Sequence, residues 1–236
     1  MRGGVARIRP GVAAEPSWAT IQAGATIWGM VLSADNGTLY VGSQTTGDVH
    51  AIDTTTAAVR TLAPDLGAPN GLTLGPDGAL YVSDFGGGRV LRVTTDTGDV
   101  SAVTTSSIPG ANGVAFNDAG ELFVASFGGG FVAVLTLSAD HREVGRRMIG
   151  SGLGSLDGLA VASDGTLLAT AQGTARRLMA IDATGNATTL LGGLSAPANV
   201  ELGRGALRCT DIYIATGGGV VRYETGSYTQ RAVPWH

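Results

Sequence analysis

A chain of 236 residues with 44% apolar and 14% charged residues can build one large core and lies in the soluble globular range, which excludes a disordered tail. Its formal charge of −4, with scattered arginines as the only fixed cations, leaves no basic stripe for a phosphate backbone and argues against nucleic acid as a partner. Lysine is absent, so Schiff-base and lysine general-base chemistry are excluded, and the single Cys209 excludes an internal disulfide.

Cys209 fits a reducing compartment and reads as a small buried residue beside a strand. The opening stretch MRGGVARIRPGVAAEPSW has no continuous apolar core of a secretory signal, and no later window approaches about 18 uninterrupted apolar residues. The expectation is a cytoplasmic protein with no membrane partner. The 38 glycines fall at regular turn positions between Val, Ile, Leu and Thr runs, which predicts many short strands.

From the N-terminus, residues 4–9 and 17–23 read as the third and fourth strands of an incomplete blade. WGMVLSADNGTLYVGS from Trp28 gives two apolar runs across a turn, with strands at 49–53 and 59–62 following. PNGLTLGPDGALYVSDFGGGRV from Pro69 repeats the design: a strand at 72–74, a Pro-Asp-Gly turn, a strand at 80–83, a glycine-rich corner, then strands at 90–93 and 100–104. ANGVAFNDAGELFVASFGGG from Ala111 is the third copy, and its polar insertion at 138–147 reads as a long hairpin. LDGLAVASDGTLLATAQ from Leu156, with strands at 178–182 and 188–191, is the fourth. ANVELGRGALRCTDIYIAT from Ala198 is a looser fifth, with a strand at 220–223 and a last strand reaching Val233. Asn36 and Asn186, each in an Asn-x-Thr triplet, read as turn residues.

Aligned on the residue before each first strand, Trp28, Asn70, Asn112, Asp157 and Asn199 are spaced by 42, 42, 45 and 42 residues. That period, with four short strands per unit, predicts an all-β fold: a β-propeller of four-stranded blades, of six-bladed type with an incomplete first blade. One domain then covers 1–236, with the partial blade over 1–25 and repeats starting near 26, 68, 110, 155 and 197. Open blade edges predict a homodimer formed through them.

In a propeller blade the start of the first strand and the end of the second meet on one face. Trp28, Asn70, Asn112, Asp157 and Asn199 are therefore expected at the channel mouth, with Gln44, Asp84, Ser126, Gln172 and Thr216 beside them and Phe85 and Phe127 walling a pocket. Four of the five first-strand positions are Asn or Asp, oxygen donors of the kind a hard cation such as calcium takes. The same residues also read as plain turn chemistry, since Asn-Gly and Asp-Gly pairs tolerate positive φ. Turn pairs at 76–78, 117–120 and 163–165 belong to the opposite face and need no function. His50, His141 and His236 occupy no channel-facing position, which argues against a Ser-His-Asp triad or a His-rich metal centre. GSGLGSLDG from Gly150 leads into a strand, so it is no phosphate loop, and the glycines at 86–88 and 128–130 read as tight bends.

In PNGLTLGPDGALYVSDFGGGRVLRV, NGVAFNDAGELFVASF, LDGLAVASDGTLLATA and CTDIYIAT, over residues 26–225, the chain resembles the senescence-marker-protein, gluconolactonase and luciferin-regenerating-enzyme family of six-bladed calcium-dependent propellers. The resemblance implies a divalent metal, calcium, held by Asn112 and Asp157, with Asp157 also catalytic. It implies hydrolysis of a small-molecule lactone, with Asn70 and Asn199 holding the substrate and Trp28, Phe85 and Phe127 lining its pocket. The family's further ligand is a Glu in an E-G-P-x-W motif on the first blade. Glu15 in AEPSW stands nearest to it, but Pro16 follows directly and no first strand comes after. Two other readings stand beside this one. The first is a non-catalytic NHL-type propeller that binds a small molecule or peptide. The second is an enzyme like strictosidine synthase or a streptogramin lyase, for which no Glu at a repeat start and no suitable His is found.

Overall fold

The computed structural model describes residues 2–7, 14–203, 207, 210–225 and 231–234, and Cys209 and His236 lie outside them. Among the described residues there is no helix, so none is long and apolar enough to cross a membrane. The chain forms two compact units, Met1–Ser107 and Ile108–His236.

The first unit holds a two-stranded sheet, β1 (Arg2–Arg7) with β2 (Glu15–Ala23), and two four-stranded antiparallel sheets. Blade 1 is β3 (Ile27–Leu32), β4 (Thr38–Ser43), β5 (Asp48–Asp53) and β6 (Val59–Ala63). Blade 2 is β7 (Pro69–Leu74), β8 (Leu80–Asp84), β9 (Arg89–Val93) and β10 (Val100–Ala102). The second unit holds three more. Blade 3 is β11 (Ala111–Phe116), β12 (Leu122–Ser126), β13 (Phe131–Leu137) and β14 (Glu143–Ile149). Blade 4 is β15 (Ser155–Val161), β16 (Leu167–Gln172), β17 (Arg177–Ile181) and β18 (Ala187–Leu191). Blade 5 is β19 (Val200–Leu202), β20 (Asp211–Thr216), β21 (Gly219–Glu224) and β22 (Arg231–Pro234). In each blade every strand pairs with its sequence neighbour, so the sheets are simple meanders of the propeller type.

Burial follows strand position. The second strands β8 and β12 are buried along their whole length, and they read as near-continuous apolar runs, LYVSD and LFVAS. The outer strand β10 is exposed throughout. Blade 4 shows how one strand serves two cores. Leu167, Ala169 and Ala171 of β16 pack with Ala115, Phe123 and Val134 of blade 3. Leu168, on the other face, packs with Val200, Ile212, Ile214 and Tyr223 of blade 5. In the first unit Tyr40, Val49 and Leu66 meet Leu72, Leu80 and Val82 between blades 1 and 2.

The two-stranded sheet is the partial blade expected at the N-terminus, and it covers blade 1 incompletely. Val5 and Ala19 pack on Val41 and Ile52, but Met30 of the first strand β3 remains 48% exposed. Its repeat equivalents Leu72, Val114 and Leu159 are 8%, 5% and 6% exposed. Met30 and Leu32 line an apolar groove of about 350 Å³ with Val5, Trp18 and Leu39.

The expected polar hairpin is β13–β14. Its turn is closed by Ser138 N–H donating to the Arg142 carbonyl (2.8 Å), with His141 in the left-handed region. Asn36 and Asn186 both lie in turns, Asn36 with positive φ. The turns between first and second strands use positive-φ glycines at Gly78, Gly120 and Gly165, and the corners do so at Gly88 and Gly130, as the sequence predicts.

Candidate functional site

Except for Asn199, the repeat residues do not precede their first strands. In four blades they sit inside them, at a bulge. In blade 3 Ala111 pairs with Ser126 and Val114 with Val124, so Asn112 and Gly113 contribute one residue more than the partner strand. Blade 4 does the same at Asp157 and Gly158, between the pairs Leu156 with Ala171 and Leu159 with Ala169. Blade 2 repeats it at Asn70 and Gly71, and blade 1 at Trp28. A bulge bends the strand and redirects the side chain it carries, and such irregularities gather at functional sites. Asn199 stands just before β19, its carbonyl accepting from Ala215 N–H at 2.8 Å.

This overturns the turn-chemistry reading of the Asn-Gly and Asp-Gly pairs. None of Gly29, Gly71, Gly113 and Gly158 has positive φ. At 113 and 158 glycine is required for a different reason: a Cβ on Gly113 would come within 2.5 Å of the Asp157 carbonyl, and one on Gly158 within 2.5 Å of the Ala198 carbonyl. Neighbouring first strands approach too closely for any side chain. The bulge amides are satisfied by buried hydroxyls on the second strand, Gly158 N–H by Thr170 Oγ1 (2.8 Å) and Gly71 N–H by Ser83 Oγ (2.8 Å). Thr170 in turn donates to the Ala198 carbonyl, tying blade 4 to the chain entering blade 5.

Within the second unit, Asn112 is buried, while Asp157, Asn199 and Phe127 are partly exposed. The first strands β11 and β15 lie side by side at these bulges, with Gly113 against the Asp157 carbonyl. Asp157 Oδ2 accepts a hydrogen bond from Gln172 Nε2. Burial pushes the Asp157 carboxyl up to about 6, against the opposing pull of that bond. Within the first unit, Trp28 and Phe85 meet edge to face at 5.6 Å with an interplanar angle of 77°, and Asn70 is buried.

The second-strand set needs a one-residue correction. Phe85 N–H donates to the Ala68 carbonyl and Phe127 N–H to the Gly110 carbonyl, as Gln44 N–H does to the Thr26 carbonyl. The common register is therefore Gln44, Phe85, Phe127, Gln172 and Thr216. Asp84 and Ser126 fall one residue earlier, on the opposite face of the strand, where they build the corners. Asp84 accepts from Ala68 N–H (2.9 Å), Gly87 N–H (3.0 Å) and Arg89 Nε (2.9 Å). Ser126 Oγ donates to the Pro109 carbonyl (2.6 Å) and accepts from Gly129 N–H (3.0 Å). Thr216 Oγ1 donates to the Gly219 carbonyl (2.8 Å).

Glu15 is engaged elsewhere. Arg7 Nε and Nη2 reach its two carboxylate oxygens at 3.1 and 2.9 Å across β1 and β2, and Arg7 also lies 4.8 Å over the Trp18 ring. A carboxylate clamped by a guanidinium fork in this way is a poor metal ligand. His50 is buried in β5 with Nδ1 3.3 Å from Thr61 Oγ1, and His141 stands in the β13–β14 turn, so neither joins the bulge residues. Among the described residues no three His, Cys, Asp or Glu side chains come together as a metal centre.

The five four-stranded meander sheets define the fold as a β-propeller. No family model matches the chain, and no curated protein matches it. Solved structures do match in fold. Virginiamycin B lyase from Staphylococcus aureus is 15% identical with a TM-score of 0.68, over 97% of this chain and 76% of that one. A gluconolactonase from Xanthomonas campestris is 19% identical with a TM-score of 0.71, over 85% and 72%. A chain of a nidogen/laminin complex is 16% identical with a TM-score of 0.74, over 92% and 83%. A lyase, a gluconolactonase and a protein complex share the architecture, so function has to be argued from the site.

Proposed function

We propose that the chain is a lactone-opening hydrolase of the gluconolactonase kind, working with a divalent cation, calcium, at Asn112 and Asp157. The observation that supports this reading most is Asp157 itself: a largely buried carboxylate on a strand bulge, with an amide, Gln172, as its hydrogen-bonding partner and a pKa raised to about 6 by burial.

The donor set fits a hard cation in kind. Asn112 and Asp157 offer an amide oxygen and a carboxylate on adjoining first strands, and Asn199 follows on the next blade. It is poor in charge, with one carboxylate, so the expected affinity is low. A bound cation would supply Lewis-acid polarisation of the ester carbonyl. The carboxylate of Asp157, made more basic by burial, accepts the proton of the attacking water. The water oxygen bonds to the carbonyl carbon, the ring C–O bond breaks, and Asp157 returns the proton to the departing ring oxygen, leaving a hydroxy acid. Asn199 and Phe127 orient the substrate in the second unit.

The test is calcium-dependent opening of a panel of sugar and aryl lactones, followed by acid release. Asp157→Ala is expected to abolish it and Asn112→Ala to weaken calcium binding, whereas unchanged turnover in Asp157→Ala excludes the assigned role. The Trp28–Phe85 pair favours a second reading, a propeller that binds a flat or apolar ligand without chemistry. A chain whose melting temperature does not move in millimolar calcium would put that reading first.

A further inference from the structure

We propose that Gln172 is a working part of the Asp157 site: it positions the carboxylate and, by being an amide and not a second acid, holds the site to one negative charge and so sets how tightly it takes a divalent cation. This inference rests on the proposed cation site at Asn112 and Asp157.

The position argues for it first. Gln172 closes β16 opposite Ser155, at the register that carries Phe85 in blade 2 and Phe127 in blade 3. A phenyl ring at that register can wall a pocket but cannot hold a carboxylate. In blade 4 the side chain is polar, and its Nε2 donates across the β15–β16 pair to Asp157 Oδ2. The bond engages one carboxylate oxygen and fixes the rotamer of a side chain carried on a bulge.

The chemistry argues for it second. The other end of the same amide, Oε1, is an oxygen of the class that hard cations take, and affinity in such sites follows the number of charged ligands. Glutamate is close to glutamine in size and shape. In its place it would set two carboxylates within hydrogen-bonding reach of each other, which is unfavourable without a cation and favourable with one. A leucine there would keep the bulk and remove the donor.

The experiment is calcium chloride titration of the full chain by isothermal calorimetry, with thermal unfolding in chelator and in calcium as a second readout. Gln172→Glu is expected to bind calcium about tenfold more tightly than the parent chain, to melt lower in chelator and to gain more in calcium. Gln172→Leu is expected to bind more weakly than the parent. If Gln172→Glu binds no more tightly while Asp157→Ala abolishes binding, Gln172 lies outside the site and the inference falls, although the cation site stands. If Asp157→Ala binds like the parent, the cation site itself is wrong, and if neither the parent nor Gln172→Glu binds calcium, both fall. Should Gln172→Glu fail to fold in chelator, Gln172→Leu decides: an affinity equal to the parent's overturns the inference, and a loss sustains it.

Discussion

Asp84, at the end of β8 in blade 2, and Asp157, on the β15 bulge in blade 4, are both carboxylates that sequence spacing places near one face, yet their surroundings divide them. Asp84 is buried among two backbone N–H donors and the Arg89 guanidinium. Burial alone would raise its pKa, but those three partners outweigh it and hold the carboxyl below the usual carboxylate range. Asp157 is also largely buried, and the hydrogen bond from the Gln172 amide leaves burial the winner, so its carboxyl is pushed up to about 6. A carboxylate that satisfies its neighbours is part of the scaffold. One that its neighbours leave short of positive charge is available for a proton or a cation.

The sharpest way to break this comparison is to remove each acid. Asp84→Ala leaves the Ala68 and Gly87 amides without their acceptor at a tight corner, at a cost of about 3 kcal/mol in stability at neutral pH. The lowered pKa fixes the sign. Stability from Asp84 is present above the unfolded carboxylate value of about 3.9 and is lost as pH falls through its lower folded value. Urea unfolding at pH 7 checks the size, and a loss under about 1 kcal/mol would mean that the corner re-pairs with water.

Asp157→Asn carries the opposite sign. Below about pH 4 the folded and unfolded chains both hold this proton, so the parent and the variant should match. As pH rises from about 4 through the folded value near 6, the unfolded chain releases its proton first, and the parent loses stability. A shift of that size corresponds to about 3 kcal/mol at most, so the variant should be more stable by about 1–3 kcal/mol at pH 8 in chelator. Equal stability at pH 8, measured by urea unfolding across the range, would show a compensated carboxylate and remove the contrast with Asp84.

Much of the fold was legible because the repeat is local. Asp-Gly turns, glycine corners and the 42-residue spacing lie along the chain, and the five blades and the partial blade follow from them. Of the candidate site the repeat gave matching positions only: Asn112 and Asp157 stand at equivalent places in their repeats, but the bulge that carries them depends on which residue of the partner strand stands opposite, and no local pattern encodes that. The same gap placed Asp84 and Ser126 one residue off the register of Phe85 and Phe127. In a strand, one residue is the difference between a corner and a pocket. Met30 was hidden for a related reason: it has the apolar character of Leu72 and Leu159, but the neighbours that bury those residues are strands of a preceding blade, and β1 and β2 cover only part of that place.

The smallest effect asks what holds Asp84. Its partners are of two kinds, a pair of backbone N–H groups at 2.9 and 3.0 Å and an Arg89 side chain that is itself 50% exposed. A guanidinium in that position is well hydrated without its partner and screened by salt, so the ion pair is worth about 0.2–1 kcal/mol. Arg89→Met keeps the length of the side chain and removes the charge, and it should cost less than 1 kcal/mol, with the difference shrinking further in high salt. A loss as large as that of Asp84→Ala would mean that the carboxylate is anchored by charge and not by the backbone. In that case a guanidinium partner, which Asp84 has in Arg89 and Asp157 has not among the described residues, and not the number of N–H donors, would be what sets the two acids apart.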